Sequence, residues 1–319
     1  MSKNFGESTT ASATYAGFSE KNLEEVTQGS IVVFGAPADS TLPRRSGSSN
    51  GPKAIRQATM NALTSYFNSP SKTVVSLDTG KTRRFKSEVI GIDLGDLADC
   101  TEVTTETLKQ IDQLTAGVHD KGGLPVLLGG DGRILEGMTT GLQSSSSELG
   151  LLVISNRLDI PKANGLTSKT LSSLLSISPK SDNYPILTIG TNGIQPHENW
   201  KEIKKVHGNI ISAEDIHEQG EEVALNAIQQ FSLKNNQIVC VIDAGVLDTG
   251  FAAGTPGLNV GGLTPLQLIE ILSKANIASK LVGICVSNVA PLLDARGHTQ
   301  YAVAEALLAV IGERLFEEI

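Results

Sequence analysis

Residues 238–265, IVCVIDAGVLDTGFAAGTPGLNVGGLTP, restrict the fold of this chain more than any other stretch. Positions 238–242 form an unbroken apolar run rich in β-branched residues. That is the pattern of a strand covered on both faces, as in parallel sheets flanked by crossover helices. Asp243 closes the run at the carboxyl end of the strand, where open α/β sheets place their binding crevice. A glycine-rich loop follows and stops at Thr264-Pro265, a capping residue with proline in the first helical position. Strand, acid, long loop and capped helix outline an active-site segment.

The remainder of the chain repeats the strand–helix pattern. Apolar runs at 31–34, 89–92, 125–128, 151–154, 186–189 and 281–286, with a weaker one at 209–211, read as strands. Helical patterns near 102–118, 214–230, 265–275 and 299–317 separate them, and Pro52 opens another helix with Ile55, Ala58, Ala62 and Tyr66 on one face. Residues 1–17, rich in Ser, Thr, Ala and Gly, read as a flexible N-terminal arm. Residues 68–87, with the basic cluster Lys81, Arg83, Arg84 and Lys86, read as a solvated loop, and the run Ser144 to Ser147 as a surface loop. No gap large enough to divide domains occurs, so residues 18–319 are expected to form one α/β domain around a parallel sheet of about eight strands.

Composition serves here to exclude partners. A net charge of −8 argues against nucleic acid. No apolar run approaches the roughly 18 residues that span a membrane, and the polar start MSKNFGESTTASA lacks the apolar centre of a secretion signal. A cytoplasmic location is expected. The three scattered cysteines fit free thiols in a reducing compartment. Cys240 and Cys285 fall within strands as small hydrophobes, while Cys100 is expected to be the exposed thiol, open to an intermolecular disulfide.

The strand-end motifs, in order, are GAPADS…RRSG…GPKAIR, DLGD, PVLLGGDG, ISNRLD, DAGVLDTGFAAGTPGLNVGGLT and VAPLLD. This order resembles the ureohydrolase superfamily of arginase, agmatinase and formiminoglutamase, from about residue 31 to the C-terminus. The resemblance implies a three-layer α/β/α arginase-like fold and self-association as a homotrimer or dimer of trimers. It also implies hydrolysis of guanidino groups by a binuclear manganese cluster, whose bridging hydroxide attacks the guanidinium carbon. The metal is needed because it lowers the pKa of bound water enough to supply hydroxide near neutral pH.

Carried over residue by residue, the implied ligand set is depleted. In GGDG the ligand histidine is replaced by Gly132, while Asp131 keeps a structural role. In SNRLD the first aspartate is Ser155, the histidine is Arg157, and the last aspartate is kept as Asp159. DAGVLD keeps Asp243, and its second aspartate is Gly245. Two of six ligands remain. The glutamate expected to hold the guanidinium is Asn288, and His119, His197, His207, His217 and His298 all lie outside the ligand motifs.

The expectation is therefore a catalytically inactive, metal-free arginase-like protein (a pseudoenzyme) without manganese. It is expected to bind an amino-acid-like ligand, to regulate a partner, or to serve as a structural oligomer. The alternative is a weak or divergent ureohydrolase using an added metal at Asp159 and Asp243. Facing carboxylates without a cation repel, so Arg157 is expected either to pair with Asp159 or Asp243 or to turn to solvent. The GGDG loop lacks both G-x-G-x-x-G and the Lys-Ser/Thr of a P-loop, so no nucleotide is expected.

Overall fold

Apolar runs that alternate with helices can hide both faces by lying side by side with helices above and below. The structure, a computed structural model, describes residues 13–39, 47–62, 71–77, 80–143, 149–158, 185–194, 200 and 209–319. Asp159, His197, His207, Tyr66 and the four-serine tract lie outside the described residues. The strands are β1 (Ser19–Glu20), β2 (Ile31–Ala36), β3 (Thr73–Val75), β4 (Thr82–Phe85), β5 (Gly91–Asp96), β6 (Leu124–Gly129), β7 (Leu149–Ile154), β8 (Ile186–Thr191), β9 (Asn209–Ser212), β10 (Gln237–Asp243), β11 (Leu281–Ser287) and β12 (Phe316–Glu318). The helices are α1 (Gly51–Ala62), α2 (Thr105–Asp120), α3 (Leu135–Gln143), α4 (Ala213–Gln219), α5 (Glu222–Lys234), α6 (Pro265–Lys274) and α7 (His298–Leu315).

Nine strands form one parallel sheet in the order β1-β5-β2-β6-β11-β10-β7-β8-β9. The strand beyond the expected eight is β1, a two-residue exposed edge too short and polar to read as an apolar run. Side chains alternate between two layers. Ile238, Cys240 and Ile242 join Ile55, Leu268, Ile271 and Leu307 on one side of the sheet. Val239, Val241 and Cys285 join Ile111, Leu135 and Met138 on the other. The sheet is thus the middle of three layers. Its order sets β6, β11, β10 and β7 next to one another, and at about 4.8 Å per strand their ends share a mouth roughly 14 Å wide.

Two buried devices hold α1 against the sheet. A Cβ at Gly51 would stand 2.8 Å from the carbonyls of Gly129 and Val289, so the helix starts where only glycine fits. Arg56, fully buried, donates from Nε and Nη2 to the two oxygens of Asp93 at 2.8 and 2.9 Å, and from Nη1 to Asp96. Burial works against its charge, but the bonds and charges of the two aspartates outweigh that cost and bind its proton more firmly than usual.

Four expectations are corrected. Within the expected N-terminal arm, residues 13–17 are anchored: Tyr15 is fully buried, its N–H donates to Asp93 at 2.8 Å, and the Ala16 N–H donates to Thr59 at 2.7 Å. A single aromatic, stacked edge-on against Phe18, supplies the apolar anchor that small residues lack.

The basic stretch is not simply a solvated loop. β4 pairs antiparallel with both β3 and β12, forming a separate three-stranded sheet whose strand β12 follows helix α7 directly after Leu315. Arg84 pairs with Glu317 at 2.6 Å and Lys81 with Glu318 at 3.2 Å, and the Phe85 and Phe316 rings meet at 4.4 Å. Arg84 and Arg83 stand directly opposite Glu317 and Glu318 as cross-strand partners.

The helix expected over 214–230 is two helices, broken at Gly220, whose φ of +80° glycine adopts readily. Cys100 is 3% exposed rather than open, and burial pushes its thiol up to about 11. It cannot bridge to a second molecule without local opening. Cys240 is pushed up to about 12 by full burial, and Cys285 is raised by the same cause. No described helix is long and apolar enough to cross a membrane.

Candidate functional site

The mouth is built from the residue that ends each central strand and the one or two that follow. Asp243 is the last residue of β10, in register with Ser287 of β11, and is 6% exposed. Past it the chain turns sharply through residues 244–246, and Asp243 caps its own turn by accepting the Gly245 N–H at 2.8 Å. After β7, the Ser155 hydroxyl donates to Asp243 Oδ2 at 2.9 Å and accepts the Arg157 N–H at 3.2 Å. After β11, the Asn288 amide donates from Nδ2 to Asp243 Oδ1 at 2.9 Å. Four positions singled out in the sequence, Ser155, Asp243, Gly245 and Asn288, are therefore joined through one carboxylate, and among the described residues all its donors are neutral.

Asn288 reaches that position in a left-handed conformation, φ +64°, while its own N–H donates to the Gly130 carbonyl at 2.9 Å. Asparagine is one of the few residues with a side chain that visits this region. Gly132 is buried at the start of the turn Gly132–Ile134, capped by Asp131, which accepts the Arg133 N–H at 2.8 Å. Asp131 has the structural role expected of it. The preceding Gly130 must lack a side chain, because a Cβ there would run into the Ala38 carbonyl.

Arg157 does not pair with Asp243. Among the described residues it makes no ion pair, and its guanidinium occupies the space that a Cβ at Gly257 would need. Neutral donors already cover both oxygens of Asp243, and the glycine of the GTPG loop leaves a flat place for the guanidinium to rest. Asp159, the other expected partner, is outside the described residues. Of the histidines that are described, His217 faces the Gly262 carbonyl at 3.1 Å.

Sequence reasoning missed four residues that shape this mouth. Asn259, 5% exposed, donates from Nδ2 to the carbonyls of Gly245 and Val246 at 3.0 Å each and accepts from Asn192 at 2.9 Å. Asn192 and Asn259 together staple the glycine-rich loop to the end of β8. Asp248 accepts the N–H groups of Gly250 at 2.7 Å and Gly261 at 2.6 Å. The Gly250 bond is foremost in holding its carboxyl below the usual range, against a smaller opposing effect of burial. Asn156 is 9% exposed and presents its Oδ1 beside Gly245. Their one sequence cue is a polar side chain after a strand end or within the glycine-rich loop, too common to select them.

Among the described residues, no group of three or more His, Cys, Asp or Glu side chains comes together that could hold a metal ion. The described donor atoms around Asp243 are its own carboxylate, one hydroxyl and the amides of Asn156 and Asn288.

Comparison with known proteins gives this geometry a context. An agmatinase of Bacillus anthracis is 26% identical over 278 residues, 86% of this chain and 88% of that protein. A formimidoylglutamase of Bacillus subtilis superposes with a TM-score of 0.76 at 22% identity, covering 99% of this chain and 96% of its own. The proclavaminate amidino hydrolase of Streptomyces clavuligerus superposes with a TM-score of 0.76 at 18% identity, covering 98% and 99% of the two chains. A model of the arginase family matches residues 29–312. With that match running through nearly all of the parallel sheet and its mouth, the chain belongs to the arginase family.

Proposed function

We propose that this chain is a non-hydrolytic, metal-free arginase-family protein that keeps the family's cleft as a site for a small amino-acid-like ligand or for regulation. The observation that carries the reading is the hydrogen-bonded set around Asp243. A hydrogen aimed at a carboxylate lone pair takes the place a metal would use, and Ser155, Asn288 and the Gly245 N–H all aim at this one. Gly132 and Gly245 bring no side-chain donor. Arg157 brings a positive charge to a place where divalent ions need negative ones. These residues do not fit a binuclear manganese cluster, and no hydroxide-dependent step is assigned to them. The proposal extends to self-association as a trimer or dimer of trimers.

Relatives named agmatinase and formimidoylglutamase favour a second reading. In it, an added metal at Asp159 and Asp243 supports weak guanidino or amidino hydrolysis. One experiment separates the two. The purified full chain is analysed for manganese before and after incubation with excess metal, then assayed on agmatine, arginine and formimidoylglutamate beside an Asp243→Asn variant. The first reading expects no retained manganese and no turnover above the variant. Turnover that disappears with Asp243→Asn overturns it in favour of the second.

A further inference from the structure

Two acceptor oxygens converge on the face of Gly245. The point where a Cβ would stand lies 3.1 Å from Asp243 Oδ1 and 3.2 Å from Asn156 Oδ1, and the next atom, the Asp243 carboxyl carbon, is 3.7 Å away. Asn156 is 9% exposed, yet among the described residues its Oδ1 has no hydrogen-bond partner. A buried amide oxygen left unpaired is costly, and native proteins pair nearly all such atoms with protein, water or ligand. Asp243 Oδ1 differs in already accepting from Gly245 and Asn288, so what it adds here is chiefly negative charge.

We propose that this face is a seat for a protonated primary amine, held by Asn156 Oδ1 and Asp243 Oδ1. The inference rests on the reading of the cleft as a metal-free binding site and names the group the ligand presents there. The Asn156 oxygen calls for a hydrogen-bond donor. The neighbouring carboxylate favours a donor that is positively charged. An ammonium group meets both demands, because its three hydrogens let one nitrogen serve two oxygens at once. A first-row metal ion fits less well, since one unengaged amide oxygen is far from a coordination shell. Glycine at 245 sets no side chain against the two oxygens, whereas any larger residue would place its Cβ beside both.

The test uses the full chain, with methylammonium chloride as probe and tetramethylammonium chloride as the control of equal charge without N–H groups. Calorimetry and thermal melting are read for both salts. Methylammonium is expected to bind and to raise the melting temperature, whereas tetramethylammonium does neither. Gly245→Ala and Asn156→Leu are each expected to weaken methylammonium binding at least about tenfold, while Asn156→Asp, which keeps an acceptor and adds charge, retains it. Equal responses to the two salts, no response to methylammonium, or full binding by Gly245→Ala would each overturn the proposal. Melting without ligand shows whether each variant is folded, and the contrast between the two salts on the parent chain decides the matter even if a variant is not. Manganese-dependent turnover overturns the metal-free reading itself. A metal-free chain that ignores methylammonium overturns only the amine seat.

Discussion

Asn288 combines two costs that are usually separate: a left-handed backbone and a side-chain donor committed to a buried carboxylate. Replacing it with glycine removes the donor but suits the φ of +64°. Replacing it with alanine removes the donor and leaves a Cβ where it is disfavoured by roughly 1–2 kcal/mol. Urea denaturation should therefore rank Asn288→Gly above Asn288→Ala by about 1 kcal/mol, with both below the parent. Equal stabilities would mean that the backbone angle carries no energetic weight here. At this scale the sequence was only partly legible. The substitutions at Gly132, Ser155, Arg157 and Gly245 could be matched to motif positions one by one. That Ser155 and Asn288 both turn onto Asp243 could not, because the three sit at the ends of separate strands brought together only by strand order. Charge repulsion between carboxylates left Arg157 either paired with Asp159 or Asp243 or turned to solvent, and the space over Gly257 that receives it depends on a loop far along the chain.

Where an element's boundary is written in local chemistry, it could be read directly. Thr264 caps α6 as expected, and the cap is reciprocal: Thr264 Oγ1 accepts from the Gln267 N–H at 3.2 Å, and the Gln267 side chain accepts from the Thr264 N–H at 3.1 Å. Thr264→Ala should cost about 1 kcal/mol in chemical denaturation. The sheet of β3, β4 and β12 was not legible, because its strands are short, its pairing joins distant segments, and its charges look like ordinary solvated residues until Glu317 and Glu318 lie opposite them. The glycine-rich loop is stabilised by a group with a defined pH dependence. Asp248 has its carboxyl pKa lowered in the folded chain, so its contribution is fully present above the ordinary carboxylate value near 4 and is lost as pH falls through the lower folded value. Asp248→Asn is expected to lower the melting temperature at neutral pH and to flatten its decline across that acidic window. A variant whose acid limb matches the parent's would remove Asp248 from the account.

The strand order is what makes a single functional mouth possible, since β6, β11, β10 and β7 stand together although they come from separate parts of the chain. The chain has the fold of the arginase family, and under the proposed metal-free reading the same scaffold can be asked what it does with the family's ligand types introduced. In Gly132→His, Ser155→Asp, Arg157→His, Gly245→Asp, Asp243 loses one covering donor with Ser155, and the cleft gains two imidazoles and two carboxylates. A Cβ at Gly245 stands 3.1 Å from Asp243 Oδ1, tight enough that the new carboxylate must crowd the old one. Without metal, that crowding and the added negative charge should lower the melting temperature below the parent's. With manganese at 100 times its dissociation constant, binding to the folded state alone contributes about 2.7 kcal/mol, enough to raise the melting temperature by a few degrees. The parent should show no manganese-dependent rise over the same range. A manganese response in the parent as large as in the variant would mean that the present donor set already binds the ion. No response in either would mean that the changes extend beyond these four positions, to the shape of the cleft itself.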